Sequence, residues 1–243
     1  MSANAPAGAA TGPIDEAFAQ FREWQPKSAA ICERMATNPW RSGVLPRKFV
    51  ELVSVAVNAA CSNLNAEGTR RHIRNALAAG ASRDEVLFAL KCALGMAIHS
   101  CSLGAPILLE EAKAAGAAHA PKPTPTPACD KMRAIGQWNT AWDPFYELDP
   151  AFTDEYMTLG ADIYGAGIMT PKEVELMSVA IDASFTHMYA PGTRRHIRNA
   201  LAAGATVQEI MEVLKLCVVQ GVQSLNLGVP ILAEELERAS ARD

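Results

Sequence analysis

Glutamate and histidine recur as a pair in the two halves of this 243-residue chain, and they are its best-placed acid–base groups. Glu51 and Glu175 each lie on an apolar stretch, and His72 and His196 follow them at the same interval. Residues 49–60 are apolar except at Glu51, Ser54 and Asn58, and the counterpart stretch carries Glu175, Ser178 and Asp182. Spacings of three, four and seven put these polar side chains on one stripe of a helix. A carboxylate on such a surface needs a partner or a raised pKa, and raised carboxylates cluster where protons are transferred. Each glutamate could equally answer a helix N-terminus or a neighbouring arginine.

The histidines lie in a segment, Gly-Thr-Arg-Arg-His-Ile-Arg-Asn-Ala-Leu-Ala-Ala-Gly-Ala, found at 68–81 and again, letter for letter, at 192–205. At 100° per residue, Ile73, Ala76 and Leu77 define an inward face. His72 and Arg70 fall on its two edges, as do His196 and Arg194, while Arg71, Arg74 and Asn75 point away. A histidine on such a rim can exchange protons near neutrality, and an arginine on the opposite rim can dock a carboxylate. The plainer reading is a core histidine and solvated arginines. Other positions differ between the halves: His99-Ser100-Cys101 becomes Gln223-Ser224-Leu225, and Asn63 becomes His187. Residues essential in both halves would not differ so: either the two sites differ or these residues are peripheral, and the peripheral reading, with Cys101 a buried thiol, is preferred. His72, His99 and Cys101 lack a tight pair such as His-x-x-x-His, so no metal is expected.

These residues need elements to hold them, and the chain supplies the same set twice. The offset of 124 residues runs without gaps from Lys48 and Lys172 to Leu108 and Leu232. This is a tandem duplication of one unit, too long in period for a solenoid. The expected organisation is a disordered tail (1–13), a first unit (14–115), a Pro-rich extended linker (116–128) and a second unit (129–243). The pattern is helical throughout, an all-α architecture without strands. Capping boxes open helices at Thr170-Pro171-Lys172-Glu173, Ser82-Arg83-Asp84-Glu85 and Thr206-Val207-Gln208-Glu209. Gly80 and Gly204 end the histidine helices, and the prolines of Gly104-Ala105-Pro106 and Gly228-Val229-Pro230 are expected to break the last ones.

Composition narrows the function. The chain is 49% hydrophobic and 20% charged, enough apolar surface for a real core. A net charge of −4 lacks the footprint of a nucleic-acid binder, and the basic run 70–74 has no aromatic stacking platform. No run approaches the length of about 18 uninterrupted apolar residues for a membrane span, and no secretory signal opens the chain, so a cytoplasmic protein without a membrane partner is expected. The six cysteines form no Cys-x-x-Cys pair.

The lysine-led apolar helix with Glu51, the Arg-x-His-Ile-Arg-x-Ala-x-x-Ala-Gly segment and the capped helix with Glu85-Val86 or Glu209-Ile210 together resemble the carboxymuconolactone decarboxylase and alkylhydroperoxidase D-like superfamily. The resemblance covers residues 40–115 and 164–237. It implies helical-bundle units and a homo-oligomer, a trimer of two-unit chains or a hexamer. In the peroxidase branch a Cys-x-x-Cys pair carries the reaction; the matching stretches here, 60–65 and 184–189, lack the dithiol. The decarboxylase branch lacks those cysteines and keeps the histidine helix. By that resemblance His72 and His196 are the proton donors, Glu51 and Glu175 orient or charge them, and Arg70 and Arg194 hold an anionic group of a small carboxylated lactone or related metabolite. Asn58, Asp182 and His99 are further candidates for substrate contact, and no cofactor is implied. The alternatives are a peroxidase using a non-standard thiol, and an oligomeric small-molecule binder without catalysis.

Overall fold

A computed structural model describes residues 12–241. The tail expected at 1–13 falls outside the described residues except for Gly12 and Pro13. These two are buried, with the Pro13 carbonyl accepting from Arg71 Nη1 (2.5 Å) and Asn226 Nδ2 (2.7 Å), so the packed body starts earlier than expected.

Among the described residues the fold is all α-helical. The first copy contributes α1 (Phe18–Trp24), α2 (Pro26–Ala36), α3 (Asn38–Arg41), α4 (Arg47–Ala59), α5 (Ala66–Ala78), α6 (Arg83–Gly95) and α7 (His99–Ala114). After an extended stretch come α8 (Pro127–Ala134), α9 (Asp143–Leu148), α10 (Pro150–Gly165), α11 (Pro171–Ala183), α12 (Ala190–Ala202), α13 (Val207–Val219) and α14 (Gln223–Ser240). The 124-residue offset maps α4–α7 onto α11–α14 and also carries the start of α2 at Pro26 onto that of α10 at Pro150. The duplication therefore reaches further back than the glutamate helix.

All three capping boxes form, with the N-cap side chain and the glutamate three residues on satisfying each other's backbone N–H. Gly80 and Gly204 both adopt φ of +86°, the left-handed conformation that ends a helix without a Cβ penalty. The prolines behave differently from expectation. Pro106 and Pro230 lie inside α7 and α14, on partly exposed faces where the carbonyls they strand can be hydrated. The interruption comes earlier, as 3-10 turns at Met96–Ile98 and Gln220–Val222. The combined runs Arg83–Ala114 and Val207–Ser240 are long and apolar enough to cross a membrane by length and composition, although no uninterrupted apolar run within them reaches that length. About a third of each most apolar window is buried within the protein, 39% and 33%.

The core sits where α4 and α11 pack against each other and against α5, α6, α12 and α13. Leu52, Val53, Leu176 and Met177 are essentially inaccessible, and burying each such side chain contributes roughly 1.5–3 kcal/mol. The copies are interlocked: α7 of the first packs on α9 of the second, and α14 of the second packs on α1 of the first. Each copy thus lends its last helix to its partner's side of the molecule.

Candidate active site

The α4–α5 and α11–α12 pairs bring the predicted acid–base residues together. His72 Nδ1 is 2.7 Å from Glu51 Oε2, and His196 Nδ1 is 2.6 Å from Glu175 Oε2. All four side chains are at least nine-tenths buried. With Nδ1 committed to a carboxylate, the lone pair of a neutral imidazole is left on Nε2.

Around this shared pair the copies differ. In the first, Trp40 Nε1 and Arg47 Nε both donate to Glu51 Oε1 at 2.8 Å, and the Trp40 ring stacks on His72. Burial would push the Glu51 carboxyl up, but the hydrogen bond and charge of His72, the Trp40 N–H and Arg47 outweigh it and hold it below the ordinary carboxylate range. In the second copy Tyr164 stands where Trp40 does and Pro171 where Arg47 does, so Glu175 Oε1 receives only Asn199 Nδ2 at 3.3 Å. Tyr164 instead lines a cavity of about 90 Å³. Its wall includes His196, Asp182, Arg195, Tyr164, Trp142 and Asn139 from the second copy, and His99, Cys92 and Ile98 from the first. Arg195 Nη1 approaches His196 Nε2 at 3.4 Å, and its Nη2 donates to the backbone and side-chain oxygens of Gln137 at 3.0 and 2.9 Å. Burial pushes the Tyr164 hydroxyl up to about 12 despite Arg195 beside it, keeping it a neutral donor.

The stripe position seven residues after each glutamate also diverges. Asn58 Oδ1 accepts from Gln223 Nε2 (2.7 Å) and Asn65 Nδ2 (3.0 Å), while Asn63 donates to the Val57 carbonyl and to Gln220. At the equivalent three positions around Glu175 stand Asp182, His99 from α7 of the first copy, and His187. Asp182 is 3% exposed; burial and Glu175 push it up to about 7 against the opposing pull of Arg195. Burial, followed by the charges of His187, His196 and Arg195, lowers His99 to about 3. Gly68 and Gly192 make room for this pair: a Cβ at either would lie 2.1 Å from Asn58 Oδ1 or 1.9 Å from Asp182 Oδ2.

Several placements overturn the helical-wheel reading. Arg70 and Arg194 are exposed, and Arg70 reaches only Glu67 at 3.9 Å. Arg71 and Arg195, assigned to the solvent side, turn inward to meet Pro13 and Asp15 in one copy and Gln137 in the other. Leu77 and Leu201 are half exposed rather than inward, and Asn199 contacts Glu175 instead of pointing away. The wheel fails because each helix is covered on a second flank by the chain before α1 or α9, which no local periodicity reveals. Cys101 is half-buried rather than sealed in, and His99, taken as peripheral on its asymmetry, is a wall of the cavity.

A profile of the carboxymuconolactone decarboxylase family matches residues 26–97 and 150–224, the two halves of the duplication. The chain belongs to this family. A crystal structure from Burkholderia xenovorans LB400, of a protein provisionally assigned as a gamma-carboxymuconolactone decarboxylase subunit, superposes with a TM-score of 0.85. It is 32% identical, over 93% of this chain and 92% of that one. No curated protein matches significantly. Within the carboxymuconolactone decarboxylase fold of this chain, Cys92, Cys129 and Cys217 are buried. Cys92 reaches the cavity, but burial pushes its thiol up to about 12, so almost none is thiolate at neutral pH. All six are free.

Proposed function

We propose that the chain is a decarboxylase of small carboxylated lactones or closely related anions, and that the second copy alone performs the reaction. The observation that carries this reading is the His196 imidazole, fixed through Nδ1 by Glu175 and lining a cavity with the half-buried Arg195. Arg195 anchors an anionic group of the substrate, and the aromatic wall of Trp142 and Tyr164 keeps the departing carboxylate poorly solvated, which favours passage of its charge into the ring as neutral carbon dioxide leaves. The bond from the ring carbon to the carboxylate breaks and its electron pair passes into the lactone carbonyl as a dienolate. His196, protonated at Nε2 and balanced by the Glu175 charge, delivers a proton to carbon and recovers one from solvent. Arg195 replaces the Arg194 of the sequence reading as the anion anchor.

Release of carbon dioxide from a panel of carboxylated lactones and keto acids is the direct assay. Turnover of at least one, lost in Arg195→Leu through a raised KM, is expected. Thiol-dependent peroxide consumption with no carbon dioxide release would replace this reading with the peroxidase one. A homo-oligomer belongs to the same proposal. Leu103, Ile107 and Leu108 on α7 and Leu227, Ile231 and Leu232 on α14 are exposed apolar residues, a surface suited to burial between chains. Light scattering that gives a monomer would remove that part.

A further inference from the structure

Three polar positions lie between the copies, and their side chains all find hydrogen-bond partners in one place and not in the other. Asn58, Gln223 and Asn63 are amides, each both donor and acceptor, and they close into hydrogen bonds with their surroundings. At the equivalent positions Asp182, His99 and His187 gather their donor atoms within 4.8 Å of one another. His99 Nδ1 is 2.6 Å from His187 Nε2 and 3.7 Å from Asp182 Oδ1. A single shared proton settles the two imidazoles, but it leaves Asp182 Oδ1, the oxygen facing His99, beyond hydrogen-bond reach of either. The other oxygen, Oδ2, lies 3.7 Å from His196 Nε2 and among the described residues has no hydrogen-bond partner, in a side chain almost wholly removed from water. An unpaired buried polar group is rare and costly, and the usual remedies are a charge partner or a metal.

We propose that His99, Asp182 and His187 form a binding site for a divalent transition metal ion of the zinc class. Two imidazoles and one carboxylate are a ligand set suited to such an ion, with one coordination position left for water or a ligand. The surroundings preset it. Tyr189 stacks on the His99 ring at a centroid distance of 3.8 Å and fixes its plane. The loop bearing His187 is set by the left-handed Met188 (φ 54°) and by Tyr189 N–H bonding the Asp182 carbonyl at 2.8 Å. His99 and Asp182 are also walls of the cavity, so the site borders the space where Arg195 and His196 lie. The ligands come from both copies, His99 from α7 and the others from the second, so an ion there also ties the interlocked halves together.

The site stands independently of the decarboxylase reading, and its test uses binding, not turnover. The untagged full-length chain is stripped with a chelator, dialysed, and titrated with Co²⁺ followed by visible absorption, then with Zn²⁺ followed by elemental analysis and melting temperature. One ion per chain is expected, with Co²⁺ absorption of low-symmetry coordination and a raised melting temperature under Zn²⁺. The triple variant Asp182→Asn, His99→Gln, His187→Asn installs the amides that the first copy already packs at these positions, so it keeps a folded network. It should bind about 100-fold more weakly or worse. His196→Gln should keep the ion, which separates this site from the catalytic histidine. Wild-type binding no better than that of the triple variant, or a wild-type chain that takes up no Co²⁺ or Zn²⁺, overturns the proposal.

Discussion

In the first copy Glu51 receives the Trp40 indole, the Arg47 guanidinium and His72, while in the second Glu175 keeps His196 but has only the long Asn199 contact on its other oxygen. The helices, the glutamate–histidine distance and the fourteen identical residues are the same. What differs is the cover, a tryptophan against a tyrosine and an arginine against a proline. A duplicated scaffold can therefore keep one pair of groups in two surroundings: under Trp40 and Arg47 it is a buried electrostatic tie, and beside a cavity it is open to the role proposed for His196. Identity of sequence around a residue does not by itself imply identity of role.

The sharpest way to break this comparison is to remove each histidine in turn. His196→Gln should lower kcat/KM by about 10²–10⁴-fold, the usual worth of a positioned general acid. His72→Gln should leave kcat/KM within roughly threefold, because its environment holds no cavity wall residue in common with the reaction. Equal losses in steady-state assays, at unchanged melting temperatures, would make both copies catalytic.

Stability should show the opposite ranking. Glu51→Ala strands Arg47, Trp40 and His72 and should cost about 3–5 kcal/mol in denaturant unfolding, against about 1–3 kcal/mol for Glu175→Ala. The sign with pH follows from the depressed Glu51 carboxyl. Its contribution is present above the unfolded value near 4.5 and is lost as pH falls through the lower folded value. The wild-type stability curve should therefore fall more steeply on the acid side than that of Glu51→Ala. Parallel curves would mean that Glu51 is not the charged centre of its cluster.

A smaller effect tests the shared geometry. Gly68→Ala and Gly192→Ala each drive a Cβ into the side chain seven residues after the glutamate, Asn58 or Asp182. Both should cost about 1–3 kcal/mol by overpacking. Only Gly192→Ala should also weaken turnover, since only Asp182 borders the cavity. Unchanged kinetics in Gly192→Ala would detach Asp182 from the site.

Much of this was legible beforehand, and for a physical reason. Helix caps, stop glycines and the 124-residue repeat are local or self-referential signals, so Ser82, Thr170, Gly80 and Gly204 read correctly from the chain. The glutamate–histidine pair is legible at Glu51 because it is the one acid on its apolar helix and must find a partner nearby; Glu175 shares its helix with Glu173 and Asp182, and its pairing follows from the repeat. Arg195 was not, because the inward turn of that side chain depends on Gln137, distant in sequence and outside the matched blocks. Trp40, Tyr164, Trp142 and Asn139 precede the glutamate helices, where no local pattern marks them as cover or wall; Trp40 and Tyr164 lie inside the matched blocks, Trp142 and Asn139 outside them. The role of His99 was obscured by the interlocking, since a residue of the first copy completes the second copy's cavity. Its mismatch with Gln223 is the available signal: the sequence admits either differing sites or a peripheral residue there, and the structure places His99 in the cavity wall.

The finest test exchanges the cover itself. Trp40→Tyr gives the first copy the residue that stands at the matching place in the second. It removes the 2.8 Å indole bond to Glu51 and part of the ring stacked on His72, which should cost about 1–3 kcal/mol in unfolding free energy. Turnover per chain should stay within about twofold of wild type. Arg47 still occupies Glu51 Oε1, Arg71 is still turned to Pro13 and Asp15, and Asn58, Asn63 and Gln223 still close their neutral network where the second copy has Asp182 and two histidines. A doubling of active sites, read as two equivalents of tight inhibitor per chain by calorimetry, would mean that one indole alone had silenced the first copy. A single equivalent would place the difference in the whole set of substitutions, with the tryptophan as the last of several seals.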